Sequence, residues 1–298
     1  VLSYRHGFHA GGWADVHKHV AVVSLLLHLR QKATPFVVLD VFAGDAVYDL
    51  TGLEATKTRE FETGISRIYN AVDMPHGVAE YLSAVRDFNG PGHSAAIRHY
   101  PGSPALARAA LRTDDRLILN ELHPTAHRSL LAWARHDSRI AVHKRDATEL
   151  LGALVTPKLR RGLVLLDPAY EVKSEYQTVP EALARAVTSW PQGIYALWYP
   201  VLVEARHCSL LASLHRVLAD MDRIEALVTE IAPPAMRREP QRGMRGAGLI
   251  IINQPWRFRD DMEAAGDWLA TQLWPSGGGR HNVCALADYP HGGYELSD

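Results

Sequence analysis

Leu163-Val164-Leu165-Leu166-Asp167-Pro168-Ala169-Tyr170 is the stretch whose reading decides the fold. An unbroken aliphatic run leaves no polar face, so it reads as a strand covered on both sides, as in parallel sheets. In such sheets ligands gather beyond the carboxyl ends of the strands. This strand ends in an acid, a rigid turn residue and an aromatic ring. A carboxylate and a backbone carbonyl can hold an exocyclic amine and a ring can stack on a base, so the ending suits chemistry on the amine of a nucleobase. An isolated Asp-Pro is more often a plain turn, and the surrounding chain decides between the two.

Upstream, Phe36-Val37-Val38-Leu39-Asp40-Val41-Phe42-Ala43-Gly44-Asp45-Ala46 repeats the pattern, a buried strand running into a glycine turn. Gly44 lets the backbone approach a nucleotide-like ligand, although the full Gly-x-Gly-x-x-Gly is absent. Leu117–Leu122 reads as the next strand of the sheet. In mononucleotide-binding α/β units an acid at its end holds the ribose hydroxyls, which is the expectation for Glu121. That acid normally follows the glycines by about 20 residues. The longer gap here marks residues 53–99 as an inserted helical subdomain. Glu60–Ala71 and Val78–Phe88 have helical apolar spacing, joined by Met74-Pro75-His76-Gly77. Beyond the insert, Ser103 reads as an N-cap, with Pro104 opening the helix Ala105–Leu111.

After Glu121 the alternation is regular. Helix 126–135, strand Arg139–His143, a short helix after Asp146, strand Leu163–Leu166, helix 180–190, strand 194–199, helix 207–221 and strand 223–231 form a βαβ series with right-handed crossovers. Gly248–Asn253 and Val283–Ala287 are further strands around helix 260–273. The series puts Glu121, Asp146 and Asp167 at the ends of three successive strands, in line for a ribose, an adenine amine and a reacting centre. Asn253-Gln254-Pro255-Trp256 also follows an apolar strand, but its place in the order separates it from Glu121 and Asp146. It reads as a structural turn.

The 298 residues are 47% hydrophobic and 22% charged, enough to bury one α/β domain carrying an insert. No apolar run has the length of a membrane span, and the start lacks the pattern of a signal peptide, so a cytoplasmic protein without membrane partners is expected. Cys208 and Cys284 read as packing residues. His6, His9, His17 and His19 lack ligand spacing, so no metal is expected. Leu2–Gly12 interleaves aromatic and basic groups with glycine, and Asp15 caps or opens a helix through Val20, Val23, Leu26 and Leu27. This start reads as an arm able to close over a nucleotide, with Tyr4 and His6 available to meet a base. A net charge of −1 requires any nucleic acid to be met by local basic groups. Those expected are Arg5 and Lys18 near the site, with Arg237, Arg238, Arg242 and Arg245 in a Pro/Gly-rich loop.

The constellation resembles the class I S-adenosylmethionine-dependent methyltransferases, and Asp167-Pro168-Ala169-Tyr170 resembles the [Asp/Asn]-Pro-Pro-[Tyr/Phe] motif of adenine N6-methyltransferases. Leu2–His9 with Ala14-Asp15-Val16 and Lys18-His19, Leu39-Asp40 with Ala43-Gly44, Tyr100–Pro104, Glu121–Pro124, Asp167–Glu171 and Tyr195–Pro200 are together similar to the RlmJ family. The likeness runs over nearly the whole chain. It implies a Rossmann-like α/β sheet, mostly parallel with an antiparallel edge. It also implies S-adenosylmethionine as cofactor and methylation of N6 of adenine 2030 in 23S rRNA, with the insert as an RNA-recognition element and no obligate protein partner.

By that resemblance Lys18, Phe42, Gly44, Ser103, Glu121, Asp146 and Asp167 would surround the cofactor; at position 42 the family can carry histidine. Asp167 and the Pro168 carbonyl would hold the target N6, and Tyr170 would stack on the flipped base. Two departures stand out: Ala169 replaces the second motif proline, and the turn Ala43-Gly44-Asp45-Ala46 lacks a second glycine and adds an acid. A DNA adenine methyltransferase, or a nucleic-acid-binding protein that has lost catalysis, remain the alternatives.

Overall fold

The computed structural model describes residues 5–90, 96–156, 160–221, 224–235 and 243–290. A single 3-10 turn, His6–Phe8, leads into the long helix α1 (Trp13–Arg30). Two apolar stripes explain the burial of α1. Val16, Val20 and Val23 face one core cluster, while Ala21, Val22, Leu25 and Leu29 face another. β1 (Val37–Asp40) follows, then β2 (Val47–Asp49) and the short helices α2 (Leu53–Thr58), α3 (Glu60–Thr63) and α4 (Ile65–Ile68). α5 (His76–Asn89) and β3 (His99–Pro101) close the insert, with β3 paired antiparallel to β2.

The remaining chain alternates: α6 (Ser103–Ala110), β4 (Arg116–Asn120), α7 (Pro124–Ala134), β5 (Ile140–His143), α8 (Ala147–Leu154), β6 (Gly162–Leu166), α9 (Glu175–Ser189) and β7 (Ile194–Leu202). It ends with α10 (Arg206–Ala219), β8 (Ala226–Ala232), β9 (Met244–Ile252), α11 (Phe258–Leu273) and β10 (Arg280–Ala285). Among the described residues the main sheet has the order β10-β8-β9-β7-β6-β1-β4-β5. β5, β4, β1, β6 and β7 are parallel, while β9 runs against both β7 and β8, and β10 against β8. This is the expected Rossmann-like α/β sheet with an antiparallel edge. The chain leaves β1 toward β4 and β5, then crosses to β6 on the other side, so the switch point lies between β1 and β6.

The aliphatic run of β6 is explained by its two covered faces. Val164 and Leu166 pack with α9 and α10, while Leu163 and Leu165 pack with α1 and α11. β7 divides the same way, with Tyr195, Leu197 and Tyr199 on one face and Ile194 and Ala196 on the other. It also continues past the expected end at Tyr199, through Pro200 to Leu202. Beyond Leu197 it has no β6 partner, so the strand margin is open where proline cannot donate. α9 starts at Glu175, ahead of the expected position 180, because the Ser174 carbonyl already accepts the N–H groups of Gln177 and Thr178. None of the described helices is long and apolar enough to cross a membrane.

The expected helix Glu60–Ala71 is broken at Gly64. A Cβ there would lie 2.1 Å from the Gly11 carbonyl oxygen, which instead accepts the Ile65 N–H at 2.8 Å. The insert is therefore pressed onto the root of the N-terminal arm. Ile65, Ile68, Tyr81, Leu82 and Val85 share one core with Val16, Val20 and Val23 of α1 and with Leu269 and Leu273 of α11. The helices of 53–99 therefore share their core with the helices that cover the sheet. Each such side chain contributes about 1.5–3 kcal/mol by burial, against a net stability of about 5–15 kcal/mol for a domain. Replacing 53–99 by a short linker is expected to abolish cooperative thermal unfolding. A soluble deletion variant with a sharp circular-dichroism melt would show that the shared core is dispensable.

Candidate active site

The carboxyl ends of β1, β4 and β5 are laced together by Asn120. Its buried amide donates to the carbonyls of Val41 and Arg145, both at 3.0 Å, and its oxygen accepts the Arg145 N–H at 3.0 Å. A cleft opens above these ends and runs to the end of β6. Its lining includes Lys18, Phe42, Gly44, Ser103, Glu121, Asp146, Asp167 and Pro168, so the sequence-predicted residues for a cofactor are brought together.

Gly44 sits at φ +61°, and a Cβ on it would meet the Tyr48 hydroxyl at 2.7 Å. Its N–H donates to Glu121 Oε2 at 2.9 Å, while Oε1 accepts the His123 N–H at 2.6 Å. The carboxylate is thereby fixed at the glycine turn, where the hydroxyls of a diol could donate to its remaining lone pairs. Asp146 caps α8, accepting from the Thr148 hydroxyl (2.6 Å) and the N–H groups of Thr148 and Glu149. The Thr148 hydroxyl is the main reason its pKa lies below the usual carboxylate range.

Ser103 is not the N-cap. Gly102 takes that position, because Ser103 already has its place in the first turn of α6 and turns its hydroxyl to Asp40 Oδ2 at 2.7 Å. Burial pushes the Asp40 carboxyl up to about 7, helped by Asp167 and Glu121 and opposed by the Ser103 bond and Lys18. A carboxyl raised on folding contributes stability fully below its unfolded pKa of 3.8 and loses it as pH climbs through about 7. The ligand-free protein should therefore lose stability between about pH 4 and pH 7 on account of this group, and Asp40→Asn should flatten that slope in urea melts. An identical slope in the variant would assign the pH dependence elsewhere.

Asp167 Oδ2 receives the Lys18 ammonium at 2.6 Å, and the same ammonium reaches Asp15 Oδ1 at 2.8 Å. Burial works against the Lys18 charge, but Asp15 and Asp167 outweigh it and raise its pKa. Burial likewise opposes an ionised Asp15, and His6 and Lys18 overcome it, holding that carboxyl well below the ordinary range. Asp15 also accepts the Gly11 N–H at 3.0 Å and bonds His6 Nε2 at 2.8 Å. The arm is thus joined to Asp167 through two buried charges. Its other fastenings are on the insert: Arg5 pairs with Glu54 at 2.5 Å, His9 with Glu60 at 2.8 Å, and the Thr58 hydroxyl donates to the Phe8 carbonyl.

Several expectations turn out otherwise. Tyr170 does not line the cleft. It sits at φ +52°, donates its hydroxyl to the Trp198 carbonyl at 2.9 Å and sets its ring 4.4 Å from that of Tyr176, centroid to centroid. His6 lines the cleft, but its ring nitrogen is taken by Asp15. Arg5 is at the cleft as expected, whereas Arg245 lies in β9, where Gly246 pairs with Val201, and is not part of the lining. Tyr4, Arg237, Arg238 and Arg242 lie outside the described residues. Asn253 follows antiparallel β9 at the amino end of β7, away from the carboxyl ends that form the cleft, at φ +56°, and its amide donates to the carbonyls of Pro191 (2.7 Å) and Gly193 (2.6 Å). It is a structural turn.

Asp15, His19 and Asp40 were missed as site residues. Asp15, Lys18 and His19 are polar groups at i, i+3 and i+4 of α1, so they share a face, and that spacing was the available signal. Asp40 ends an apolar strand as Asp167 does. His19 lines the cleft, and its Nδ1 lies 2.8 Å from the Tyr100 hydroxyl. Among the described residues no group of three or more His, Cys, Asp or Glu is arranged to hold a metal ion.

Residues 33–285 match the family model described as Ribosomal RNA large subunit methyltransferase D, RlmJ. Ribosomal RNA large subunit methyltransferase J of Escherichia coli (strain K12) is 38% identical over 284 residues, covering 95% of this chain and 98% of that protein. Its counterpart in Haemophilus influenzae is 34% identical over 283 residues, with the same coverage. A crystal structure of a protein from Legionella pneumophila superposes with a TM-score of 0.83 at 31% identity, over 97% of this chain and 100% of that one.

Proposed function

We propose, from the fact that this chain belongs to the RlmJ family of ribosomal RNA large subunit methyltransferases, that it transfers a methyl group from S-adenosylmethionine to N6 of an adenine in 23S rRNA, at the position the resemblance indicates, adenine 2030. The protein would act in the cytoplasm, on RNA, without an obligate protein partner. The observation that carries this reading is Asp167 at the switch point of the sheet. Its Oδ2 is pinned by Lys18, while the Pro168 residue beside it lines the same cleft.

The cleft fits the cofactor by its donor set. Glu121 at the glycine turn suits the ribose, Asp146 and Phe42 the adenine side, and the Asp167 carboxylate favours a cation beside it. When bound, S-adenosylmethionine supplies an electrophilic methyl group. The chain's own contribution is placement. An adenine amine is a poor nucleophile because its lone pair is delocalised into the ring. Hydrogen bonds from N6 to Asp167 Oδ1 and to the Pro168 carbonyl would orient that amine and favour a tetrahedral nitrogen. Lys18 fixes the carboxylate so that one oxygen is left for this task. Tyr170, turned to Trp198 and Tyr176, supports the turn that presents Pro168. Arg5 and the His6 edge at the mouth, together with the insert whose Glu54 pairs with Arg5, are positioned to meet the RNA around the adenine.

Labelled methyl transfer to 23S rRNA fragments, followed by mapping of the modified base, tests the reading. Modification of a DNA fragment of the same sequence at equal rate would favour the DNA alternative, and absence of S-adenosylmethionine binding in calorimetry would favour a non-catalytic binder. Glu121→Ala is expected to weaken cofactor binding by about 1–3 kcal/mol through loss of charge-assisted bonds. Unchanged affinity in a folded variant would remove Glu121 from the site.

A further inference from the structure

A buried row of three polar groups runs from the cleft into the insert. His19 Nδ1 lies 2.8 Å from the Tyr100 hydroxyl, and that hydroxyl lies 3.0 Å from the hydroxyl of Tyr81 on α5. All three residues are closed to solvent, with Tyr81 and Tyr100 at 0% exposure. The His19 and Tyr100 rings stack, with centroids 5.5 Å apart and planes 26° apart, so the imidazole has a fixed orientation.

The protons in this row can be ordered in two ways. If His19 Nδ1–H donates to Tyr100, three protons share two hydrogen bonds and one phenol proton is stranded in a dry interior, which folded proteins avoid. If Tyr81 donates to Tyr100 and Tyr100 to Nδ1, every proton is used. The imidazole proton then sits on Nε2, the one polar atom of a cleft-lining residue that the row leaves over. Burial supports both halves of this assignment. It drives His19 down to about 3, keeping the ring neutral, and raises both phenols so that each keeps its proton.

We infer that Tyr100 is a positioning residue that locks His19 as its Nε2–H tautomer, giving an acid-rich cleft one neutral donor for the carboxylate of the cofactor's amino-acid portion. The choice of ligand group rests on the S-adenosylmethionine reading above. Tyr81 backs the lock without setting it. In Tyr81→Phe the Tyr100 proton still has Nδ1 as its acceptor, so the tautomer is unchanged. In Tyr100→Phe nothing selects a tautomer. The insert therefore supports the cofactor side of the cleft as well as its mouth.

Nitrogen-15 NMR of histidine-labelled protein reads the tautomer in the free state, and calorimetry reads S-adenosylmethionine affinity in the same samples. Wild type and Tyr81→Phe should both show Nε2–H at His19 and bind within about threefold of each other. Tyr100→Phe should show a mixture of tautomers and bind about tenfold more weakly. A merely structural role predicts equal losses in the two phenylalanine variants, because each removes one buried hydroxyl of the same row. Equal losses, or Nδ1–H in wild type, or unchanged affinity in Tyr100→Phe, would overturn the inference. Nε2–H in wild-type protein that fails to bind S-adenosylmethionine would instead overturn the cofactor reading and, with it, the assigned ligand group.

Discussion

Asp167→Ala is expected to reduce single-turnover methylation at least about 100-fold while leaving RNA binding little changed, because positioning and electrostatics are nearly all that the reaction asks of the protein. The internal control is Asn253→Ala. Both residues follow an apolar strand and precede a proline nearby, yet Asn253 lies at the amino end of β7, away from the cleft, and spends its amide on Pro191 and Gly193. Its replacement should lower stability and leave the turnover of folded protein within a fewfold. An inactive Asn253→Ala beside an active Asp167→Ala would overturn the assignment.

The second large effect is on stability. Lys18→Met leaves the Asp15 and Asp167 carboxylates facing each other's space with no ammonium between them. Removing one partner of a buried pair costs about 3–5 kcal/mol. The loss should depend on pH with a definite sign. In the wild type the depressed Asp15 pKa contributes stability that is present above the unfolded carboxylate range and lost as pH falls through the folded value. Without Lys18 that contribution shrinks, so the gap between variant and wild type in urea melts should widen with rising pH. Adding Asp15→Asn to Lys18→Met should recover much of the loss. A single variant as stable as the parent at neutral pH would mean that water already satisfies Asp15.

What the sequence disclosed divides along a physical line. The continuous aliphatic runs at 37–39 and 163–166 disclosed a doubly covered parallel sheet, because each run needs two apolar faces and only one architecture supplies them. The acid after each strand disclosed the edge where Glu121, Asp146 and Asp167 collect. Contacts between distant segments were not legible. Lys18 meets Asp167 across 149 positions, and Ser103 meets Asp40 across 63. No local pattern encodes which oxygen of Asp167 is occupied. The direction of Tyr170 was hidden too, since an aromatic after Pro-Ala reads as a stacking ring until the positive φ turns it toward Trp198. Gly64 read as a residue inside a helix, and only the approach of the Gly11 carbonyl shows why the helix stops there.

The central place of β1 sets an order of events when the chain is made. β1 pairs with β4 on one side and β6 on the other, and β6 ends only at Leu166. At about 5–20 residues per second of synthesis, its second edge stays uncovered for roughly ten seconds after the strand has emerged. During that interval an aliphatic strand offers unpaired backbone groups to any neighbour. Chains halted between β4 and β6 should therefore be far more prone to aggregate, and to be bound by chaperones, than chains halted after β7, in which the whole parallel half of the sheet can close.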